Sequence, residues 1–406
     1  MIEIDELQII LSELDNIVLD DYFPFSEMHC IWEMRCGALR LFEKIMLYFP
    51  KNKVVFDARE LQIKSLISKE DGIDNVINYN IPTLKFILPI VLNTEIKRKI
   101  VNYIKENSNM NIYFKSSDAV FAKYLPNYLL ESKELEVKEK EELYINIDNV
   151  NIIRYLWDNL DLQSREIEQD IYMLKNTNVF HYTIEDNLYK GINVQLYPGV
   201  IIDTSKGSVI LEDNVQIMHN SVIIGPCYIG KNTIIKVGSN IYENCSFGSY
   251  CKIGGEVADT IFHNYSNKQH SGFIGGSYIG EWVNLGADTN NSDLKNNYSK
   301  IAVNLPHKVI DTGKQFLGCM CGDYSKTAIC TRINTGTIIG NCAMIAISRL
   351  TPKYIPSFSW LTEELENIYK IEKAIETAKI VLKRRNKIIT NEEEKMLLSI
   401  FNKYKK

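Results

Sequence analysis

The sequence predicts three successive parts: a mixed α/β domain over residues 1–175, a β-helix of hexapeptide repeats over 176–350, and a helical segment over 351–406. Three observations predict this order. Short apolar runs alternate with charged stretches in the first part, an apolar residue recurs every six positions in the second, and apolar residues recur at helical spacing in the third. A chain of 406 residues also exceeds one ordinary core, so several domains are expected.

In the first part, runs rich in β-branched and aromatic residues predict strands. Charged stretches between them, such as residues 131–142, predict helices. This alternation favours a layered domain with a largely parallel sheet. The predicted strands are Ile17–Leu19, Val54–Phe56, Phe86–Leu88, Ile112–Phe114 and Tyr144–Ile147.

The chemistry of the first part is less clear from its sequence. Neither GxGxxG nor GxxxxGK[ST] occurs in it, so dinucleotide and P-loop sites are not indicated. Its densest charged set runs from Asp20 to Lys44. Within this set Asp21, Glu33, Arg35 and Lys44 are candidates for binding a nucleotide or phosphate, because carboxylates bind Mg²⁺ and cations bind phosphates. A charged helix face is the structural alternative.

In the second part an apolar residue recurs every six positions. A small or β-branched residue follows each of them by four positions. This pattern is typical of a hexapeptide β-helix, in which the apolar residue points into a triangular prism and coils stack at about 4.8 Å. The repeat resumes at Phe273, Ile279 and Leu285, and again from Cys321 to Ile345. The first run comprises Leu211, Ile217, Ile223, Ile229, Ile235, Ile241, Phe247 and Ile253.

Two interruptions break the repeat, at residues 258–272 and 291–314. Insertions in a solenoid usually lie on one face and often carry its binding function. After the repeat, apolar spacing predicts a helix over Leu361–Arg385. Thr390 followed by Glu393 predicts a capping box at the start of a last helix.

His270, at the end of the first interruption, is the candidate catalytic residue. Imidazole is suited to accept a proton from an attacking nucleophile. A histidine that only hydrogen-bonds its own loop is the structural alternative. Lys268 and Lys295 are candidates for a sugar phosphate and Asn284 for a sugar, whereas an asparagine ladder or a solvated lysine would be structural.

The remaining histidines are weaker candidates. His263 lies in the same interruption as His270, and a catalytic role for it is less favoured than a structural one. The other four are expected to be structural or surface residues: His29, His181, His219 and His307.

Composition excludes several classes of function. A net charge of −5 provides no basic excess for a nucleic-acid partner. No apolar run is long enough to span a membrane, and the acidic beginning of the chain is not a signal peptide, so a cytoplasmic location is expected. Nine scattered cysteines fit neither a disulfide framework nor a zinc site, so reduced, packed thiols and no metal centre are expected.

Residues 253–298, IGGEVADTIFHNYSNKQHSGFIGGSYIGEWVNLGADTNNSDLKNNY, resemble the acyltransferase half of the bifunctional N-acetylglucosamine-1-phosphate uridylyltransferase/glucosamine-1-phosphate acetyltransferase family. The whole chain resembles a divergent branch of sugar nucleotidyltransferases that carry a left-handed β-helix. The motifs are PFSEMHCIWEMRCGALRLFEK, IIRYLWDNLDLQSREIEQD, DTGKQFLGCMCGDYSKTAICTRINTGTIIG and IPSFSW. This resemblance implies a nucleotidyltransferase-like first domain, a left-handed second domain and a homotrimer.

The resemblance also implies roles for individual residues. His270 stands at the position of the general base, Phe273 at that of an aromatic residue near the sugar, and Asn284 at that of a substrate-binding asparagine. Asn297 and Tyr298 correspond to a pair near acetyl-CoA, and the active site would lie between adjacent prisms. The LxxGxGTR nucleotide loop of ordinary sugar nucleotidyltransferases is absent, and His29-Cys30 replace the branch's usual arginine-proline.

Three functions therefore compete. The favoured one is an acyl-CoA-dependent N-acyltransferase, with acetyl-CoA as co-substrate and an amino sugar phosphate or nucleotide-linked amino sugar as acceptor. The second is a sugar-1-phosphate nucleotidyltransferase that uses Mg²⁺ and whose β-helix only trimerises. The third is a non-catalytic scaffold that binds sugar nucleotides. A bifunctional enzyme would combine the first two. The resemblance alone connects the chain with cell-envelope precursor synthesis.

Overall fold

The computed structural model describes residues 3–15, 17–70, 72–117, 119–126, 128, 142–176, 183–364 and 366–405. The chain forms two compact units. The first comprises residues 1–19, 29–34 and 39–154, and the second comprises 20–28, 35–38 and 155–406. His181 and residues 131–141 of the predicted helical stretch lie outside the described residues.

A six-stranded sheet organises the first unit. Gln8–Ser12 lies between Lys53–Asp57 and Thr83–Phe86 and is parallel to both. Ala119–Leu125 is antiparallel to both of its neighbours, Thr83–Phe86 and Asn111–Ser116. Asn111–Ser116 and Glu142–Asn146 are again parallel, so the sheet is mixed, and three of its five strand pairings match the prediction of a largely parallel sheet. The spatial order is Lys53–Asp57, Gln8–Ser12, Thr83–Phe86, Ala119–Leu125, Asn111–Ser116, Glu142–Asn146. The helices are Leu41–Tyr48, Glu60–Lys69 and Thr94–Glu106, and Ile90–Val91 pairs with Asn151–Ile152.

One strand prediction in this unit is wrong. Ile17–Leu19 forms no strand, and a 3₁₀ turn covers Leu19–Tyr22 instead. The first strand lies earlier, at Gln8–Ser12, where all five side chains are buried. A strand buried on both faces shows no alternation of apolar and polar residues, which is why the pattern failed there.

The strands of the second unit form a β-helix with three faces, which we name the first, second and third. Their pairing is parallel except at two ends, where Thr183–Glu185 and Glu366–Ile368 are antiparallel to their neighbours. The first face runs Thr183–Glu185, Leu188–Lys190, Val209–Leu211, Cys227–Ile229, Cys245–Phe247, Ile261–Phe262, Tyr278–Ile279, Cys319–Cys321, Thr337–Ile339, Tyr354–Ile355. The second runs Gln195–Leu196, Gln216–Ile217, Ile234–Ile235, Lys252–Ile253, Asn267–Lys268, then Lys326–Thr327, Met344–Ala346, Ser359–Thr362, Glu366–Ile368. The third runs Ile201–Asp203, Val222–Ile224, Asn240–Ile241, Glu256–Ala258, Phe273–Gly275, then Asn290–Asn291, Arg332–Ile333.

The eight apolar residues of the first hexad run all point into this prism and belong to one buried core, as predicted. Two later details differ from the prediction. The inward residue of the coil after His270 is Ile274, whereas Phe273 lies half-buried on the outer side. Residues 258–272 do not leave the solenoid either, because Ile261–Phe262 and Asn267–Lys268 pair with the preceding coil. The coils are shorter than three full hexads there, so the six-residue period is lost. Ile253 and its partner Lys268 are 15 residues apart, and Phe262 and its partner Ile279 are 17 apart.

The second interruption does leave the prism. It contains an antiparallel hairpin, Ala302–Leu305 with Lys308–Asp311. Lys308 and His307 of this hairpin pair with Asp21 and Asp20, which belong to the same unit.

The C-terminal segment is partly helical. Ser359–Thr362 and Glu366–Ile368 are strands that extend the second face, so the helix predicted from Leu361 begins only at Ile371. Helices cover Ile371–Lys383 and Asn391–Tyr404, and the capping box of Thr390 and Glu393 is confirmed. No helix in the described ranges has the length and apolar character needed to cross a membrane.

A buried carboxylate joins distant parts of the second unit. Glu27 lies in the short helix Phe25–Met28 and accepts hydrogen bonds from Asn341 Nδ2 at 3.0 Å, Ser357 Oγ at 2.6 Å and Tyr404 Oη at 3.0 Å. The long helix Asp158–Asn176 packs in the same unit and holds Gly37 and Ala38 through Gln163 and Asp170. The last helix is therefore fixed to the β-helix through Glu27.

Candidate active site at a corner of the prism

His270 lies at the corner between the second and third faces, between Asn267–Lys268 and Phe273–Gly275. Its side chain is exposed and forms no hydrogen bond with any described residue. The neighbouring Ser271 accepts the backbone N–H of Asp288 at 3.1 Å, and its hydroxyl donates to the Asp288 carboxylate. The corner is thereby tied to the next coil while the imidazole stays available to a ligand.

Lys268 occupies a position that apolar residues hold elsewhere on the second face. It pairs with Ile253 of the preceding coil and is 1% exposed. Its Nζ donates to the carbonyl oxygens of Gly254 at 2.7 Å and His270 at 3.0 Å. Burial lowers the pKa of Lys268 to about 8, against the opposing charges of Asp288 and Glu256. The expected phosphate contact is not accessible to this side chain, which instead holds the His270 corner from inside.

Gly255 leaves the room that this arrangement needs. Its φ is +71°, and a Cβ there would lie 2.7 Å from Lys268 Nζ and 2.8 Å from the His270 carbonyl oxygen. A larger residue would therefore displace the ammonium group, the corner or both.

Phe273 and Asn284 lie on either side of the same corner. The Phe273 backbone N–H donates to Asn290 Oδ1 at 2.7 Å, and its ring lies over Gly275, where a Cβ would come within 2.4 Å of it. Asn284 bridges Asn267 and Lys326 on the second face, and its side chain points outward because Leu285 next to it is buried. The structure thus brings His270, Phe273 and Asn284 to neighbouring coils of one region.

The other predicted ligand contacts lie elsewhere in the chain. Lys295, Asn297 and Tyr298 belong to the insertion that follows Asn290–Asn291, beyond the third face. Lys295 Nζ donates to the Lys300 carbonyl at 2.6 Å, and Asn297 Oδ1 accepts the Ser299 N–H at 3.1 Å. Tyr298 is 68% exposed. Within one chain these residues do not reach the His270 corner.

The four candidates of the N-terminal part are divided between the two units. In the second unit Asp21 is paired with Lys308, and the Arg35 backbone N–H donates to Tyr278 Oη at 2.8 Å. Glu33 and Lys44 are buried in the first unit. Burial acts to raise the pKa of Glu33, but the adjacent His29 lowers it overall. Burial differs from the charged helix face of the structural alternative, and the nucleotide-binding role of these residues stays a prediction.

His263, the weaker histidine candidate, is buried. It is 2% exposed, and its Nε2 lies 2.7 Å from Tyr278 Oη. Its ring also packs against Phe25, which favours the structural role expected for it. All nine cysteines are free, and Cys330 alone among these nine described residues is exposed.

A cleft that the sequence did not reveal continues from His270 along the same corner. It has a volume of about 490 Å³, and coils stacked at about 4.8 Å place it roughly 10 Å beyond His270. Small and apolar side chains dominate it, with Arg332 at its side. The lining includes Ala328, Ile329, Cys330, Arg332, Ala346 and Ile347. Apolar residues at a corner of the solenoid, where polar residues are expected, were the feature of the sequence that could have indicated this cleft.

A second missed group lies in the first unit, at the carboxyl ends of its three parallel strands. Lys85 Nζ lies 2.7 Å from Asp15 Oδ2 and 2.8 Å from Asp57 Oδ2. Burial would lower the pKa of Lys85, but the two carboxylates raise it. Gln8–Ser12 has a parallel neighbour on each side, and ligands of open α/β sheets bind at such a switch point. Aspartates that directly follow apolar runs were the available signal.

Comparisons with known proteins bear on both units. A sugar nucleotidyl transferase family model matches residues 9–178, and a bacterial transferase hexapeptide model of six repeats matches 208–243. An uncharacterized acetyltransferase, YaiX of Escherichia coli O6:K15:H31, is 30% identical over 176 residues, which are 43% of this chain and 76% of the relative. A bifunctional sugar-1-phosphate nucleotidylyltransferase/acetyltransferase of Sulfurisphaera tokodaii is 28% identical over 252 residues, 58% of this chain and 57% of that one. The predicted fold is confirmed: a nucleotidyltransferase-like domain, a left-handed β-helix and a helical tail.

Proposed function

Because the chain belongs to the hexapeptide-repeat transferases that carry a sugar nucleotidyltransferase domain, we propose that its β-helix transfers an acetyl group from acetyl-CoA to an amino sugar. The acceptor is a sugar phosphate or a nucleotide-linked sugar, and the enzyme acts as a cytoplasmic homotrimer. The single observation that carries the proposal is the imidazole of His270, which is exposed and has no hydrogen-bond partner among the described residues, on a corner fixed from inside by Lys268.

In this reaction the acceptor nitrogen attacks the thioester carbonyl carbon. His270 takes a proton from that nitrogen, the tetrahedral intermediate collapses, and the proton leaves with the CoA sulfur as the carbon–sulfur bond breaks. An exposed imidazole with no competing hydrogen bond can approach the nitrogen freely. Phe273, half-buried on the outer side of the third face, supplies an apolar surface for the sugar ring.

The cleft beyond His270 suits the arm of acetyl-CoA. A largely apolar groove accommodates the uncharged pantetheine chain, and Arg332 can contact its phosphates, although Glu363 in the same lining adds a negative charge. The thioester end would then reach back along the corner toward His270. This placement replaces Asn297 and Tyr298 as the co-substrate contacts within one chain.

The test is mass spectrometry of products formed from acetyl-CoA and a panel of amino sugar phosphates and nucleotide amino sugars. We expect an acceptor heavier by one acetyl group with the wild type, and a rate lower by roughly a hundredfold or more with His270→Ala. His219→Ala is the matched control, because His219 lies at the same corner in an earlier coil and packs against Tyr197. Full activity of His270→Ala would refute the mechanism.

Nucleotidyl transfer by the first unit is a second candidate, favoured by Lys85 at the strand switch point. If Mg²⁺ displaced the Lys85 ammonium group from the two aspartates, that group could contact a triphosphate. In the structure the Lys85 ammonium group lies between the two carboxylates, in the position that a resident ion would need, so the site as built does not fit one. Lys85→Met should abolish pyrophosphate release from a nucleoside triphosphate and a sugar 1-phosphate, and Lys51→Met, at an exposed pair, should not.

A further inference from the structure

A row of polar residues runs along the outer side of the second face. Lys252 pairs with Asn267 of the next coil, Asn267 with Asn284, and Asn284 with Lys326. These side chains point outward because Ile253, which follows Lys252, and Leu285, which follows Asn284, are buried. Four successive coils therefore present nitrogen-bearing side chains in register.

The helix Ile371–Lys383 ends beside this row. Arg385, just beyond the helix, donates from Nη2 to Asn267 Oδ1 at 3.2 Å. Lys236 comes from the preceding coil, and its backbone N–H donates to the Ile253 carbonyl at 2.7 Å. We call Lys236, Lys252, Arg384 and Arg385 the cationic cluster.

The charges of this cluster are not balanced by the protein. None of its four members forms an ion pair within the portion of the chain that the structure describes. Burial lowers the pKa of Lys252, and the nearby positive charges of Arg385, Lys236 and Arg384 lower it further, as expected for cations that repel Lys252. Such repulsion opposes folding unless an anion compensates it.

A purely structural explanation covers only half of the cluster. Cations after the last turn of a helix interact favourably with its dipole, which accounts for Arg384 and Arg385. It does not account for Lys236 and Lys252, which come from the β-helix. Nor does it explain why an asparagine of the prism orients one guanidinium over the row.

We propose that the cationic cluster binds a phosphate or diphosphate group of the ligand that His270 acts on. Asn267 and His270 are three residues apart, which corresponds to about 10 Å along the chain. A phosphorylated sugar spans such a distance, with its phosphate at the cluster and its amino group at the imidazole. The planar fork of Arg385 suits the paired oxygens of a phosphate, and the lysines add charge. The identity of the ligand rests on the proposed acyl transfer, whereas the anion site itself does not.

The direct test is calorimetric titration of the full chain with inorganic pyrophosphate. We expect saturable binding by the wild type, weaker by roughly tenfold or more in Arg385→Gln and in Lys252→Gln. Lys387→Gln is the control, because this exposed lysine lies two residues beyond Arg385 and outside the cluster. Thermal unfolding of each variant shows whether it is folded. Absence of saturable binding, or equal affinities of Arg385→Gln and Lys387→Gln, would overturn the proposal.

Two further titrations identify the source of the phosphate. If the acceptor supplies it, Arg385→Gln weakens binding of UDP and leaves CoA unchanged. If the co-substrate supplies it, Arg385→Gln weakens binding of CoA and leaves binding of UDP unchanged. Either result supports the anion site, whereas unchanged binding of both ligands refutes it. Acetyl transfer to a non-phosphorylated amino sugar separates the two proposals, since failure there with intact pyrophosphate binding would reject the transferase mechanism alone.

Discussion

The rings of Tyr265 and Trp282 lie parallel on adjacent coils, with centroids 4.2 Å apart and planes inclined by 1°. Tyr250 stacks on Tyr265 on one side, and Tyr324 follows Trp282 on the other. All four residues have positive φ, from 59° to 64°. Non-glycine residues pay about 1 kcal/mol or more for this conformation, so the aromatic ladder offsets strain at the turns.

Because of this ladder we expect the alanine variant of Trp282, which is 4% exposed, to be less stable than the glycine variant. Trp282→Ala should lower the free energy of unfolding by about 3–5 kcal/mol through lost packing. Trp282→Gly should be less destabilising than the alanine variant by about 1 kcal/mol, because glycine relieves the strain. Urea unfolding followed by circular dichroism measures both. An alanine variant more stable than the glycine one would show that strain plays no part.

The corrected register of the coil after His270 predicts opposite effects at two adjacent residues. Ile274→Ala should destabilise the β-helix by about 2–5 kcal/mol, because Ile274 is fully buried in the core. Phe273→Ala should leave stability nearly unchanged and weaken acceptor binding by roughly tenfold, as expected for lost contact with a sugar. Thermal unfolding and steady-state kinetics of both variants provide the check. A stability loss confined to Phe273→Ala would show that Phe273, rather than Ile274, points into the core, as the hexad pattern predicted.

The burial of Lys268 predicts that the free energy of unfolding depends on pH. Its pKa is about 8 in the folded chain and 10.5 for an unperturbed lysine, so between these values the unfolded state binds more protons. The free energy of unfolding should therefore rise with pH across this window, by up to about 3 kcal/mol. Lys268→Met should lack this rise, whereas Lys387→Met, at an exposed position, should keep it. Denaturation curves from pH 7 to 10.5 test the prediction, which an unchanged slope in Lys268→Met would contradict.

Chemical modification of the exposed Cys330 thiol provides a selective probe of the proposed co-substrate cleft. A thiol-specific aromatic disulfide should modify Cys330 rapidly and the eight buried thiols only on unfolding. Saturating acetyl-CoA should slow this modification by roughly tenfold or more if the pantetheine arm fills the cleft. Cys330→Ala supplies the control, since it should lose the fast phase. Labelling that acetyl-CoA does not affect would place the co-substrate elsewhere.

The sequence was most informative where one physical constraint repeats. Residues such as Ile217 and Ile235 face the prism axis in every coil, so a period of six was sufficient to predict the β-helix. The sequence was least informative where an apolar residue no longer faces the prism axis at every sixth position. The shortened coil moved the inward position from Phe273 to Ile274, and Lys268 took an apolar place that no pattern of apolar residues could indicate.

Charged side chains in the N-terminal part were assigned less successfully for a related reason. Spacing along the chain does not reveal which charge meets which. Asp21 pairs with Lys308, and Arg35 Nη1 donates to the Ala38 carbonyl oxygen, so a phosphate role for these two residues stays a prediction. The group of Asp15, Asp57 and Lys85 assembles from three separate strands. Only the parallel order of those strands brings it together.

Glu27 and Tyr404 are separated by 377 residues and share one hydrogen bond. During synthesis the ribosome releases Glu27 early, but Asn341, Ser357 and Tyr404 emerge only near the end. Until then the carboxylate lacks these three donors. We therefore expect its segment to reach its final packing only after nearly the whole chain has been translated. Nascent chains stalled before residue 391 should accordingly be cleaved by proteases near Glu27, and completed chains should resist cleavage there.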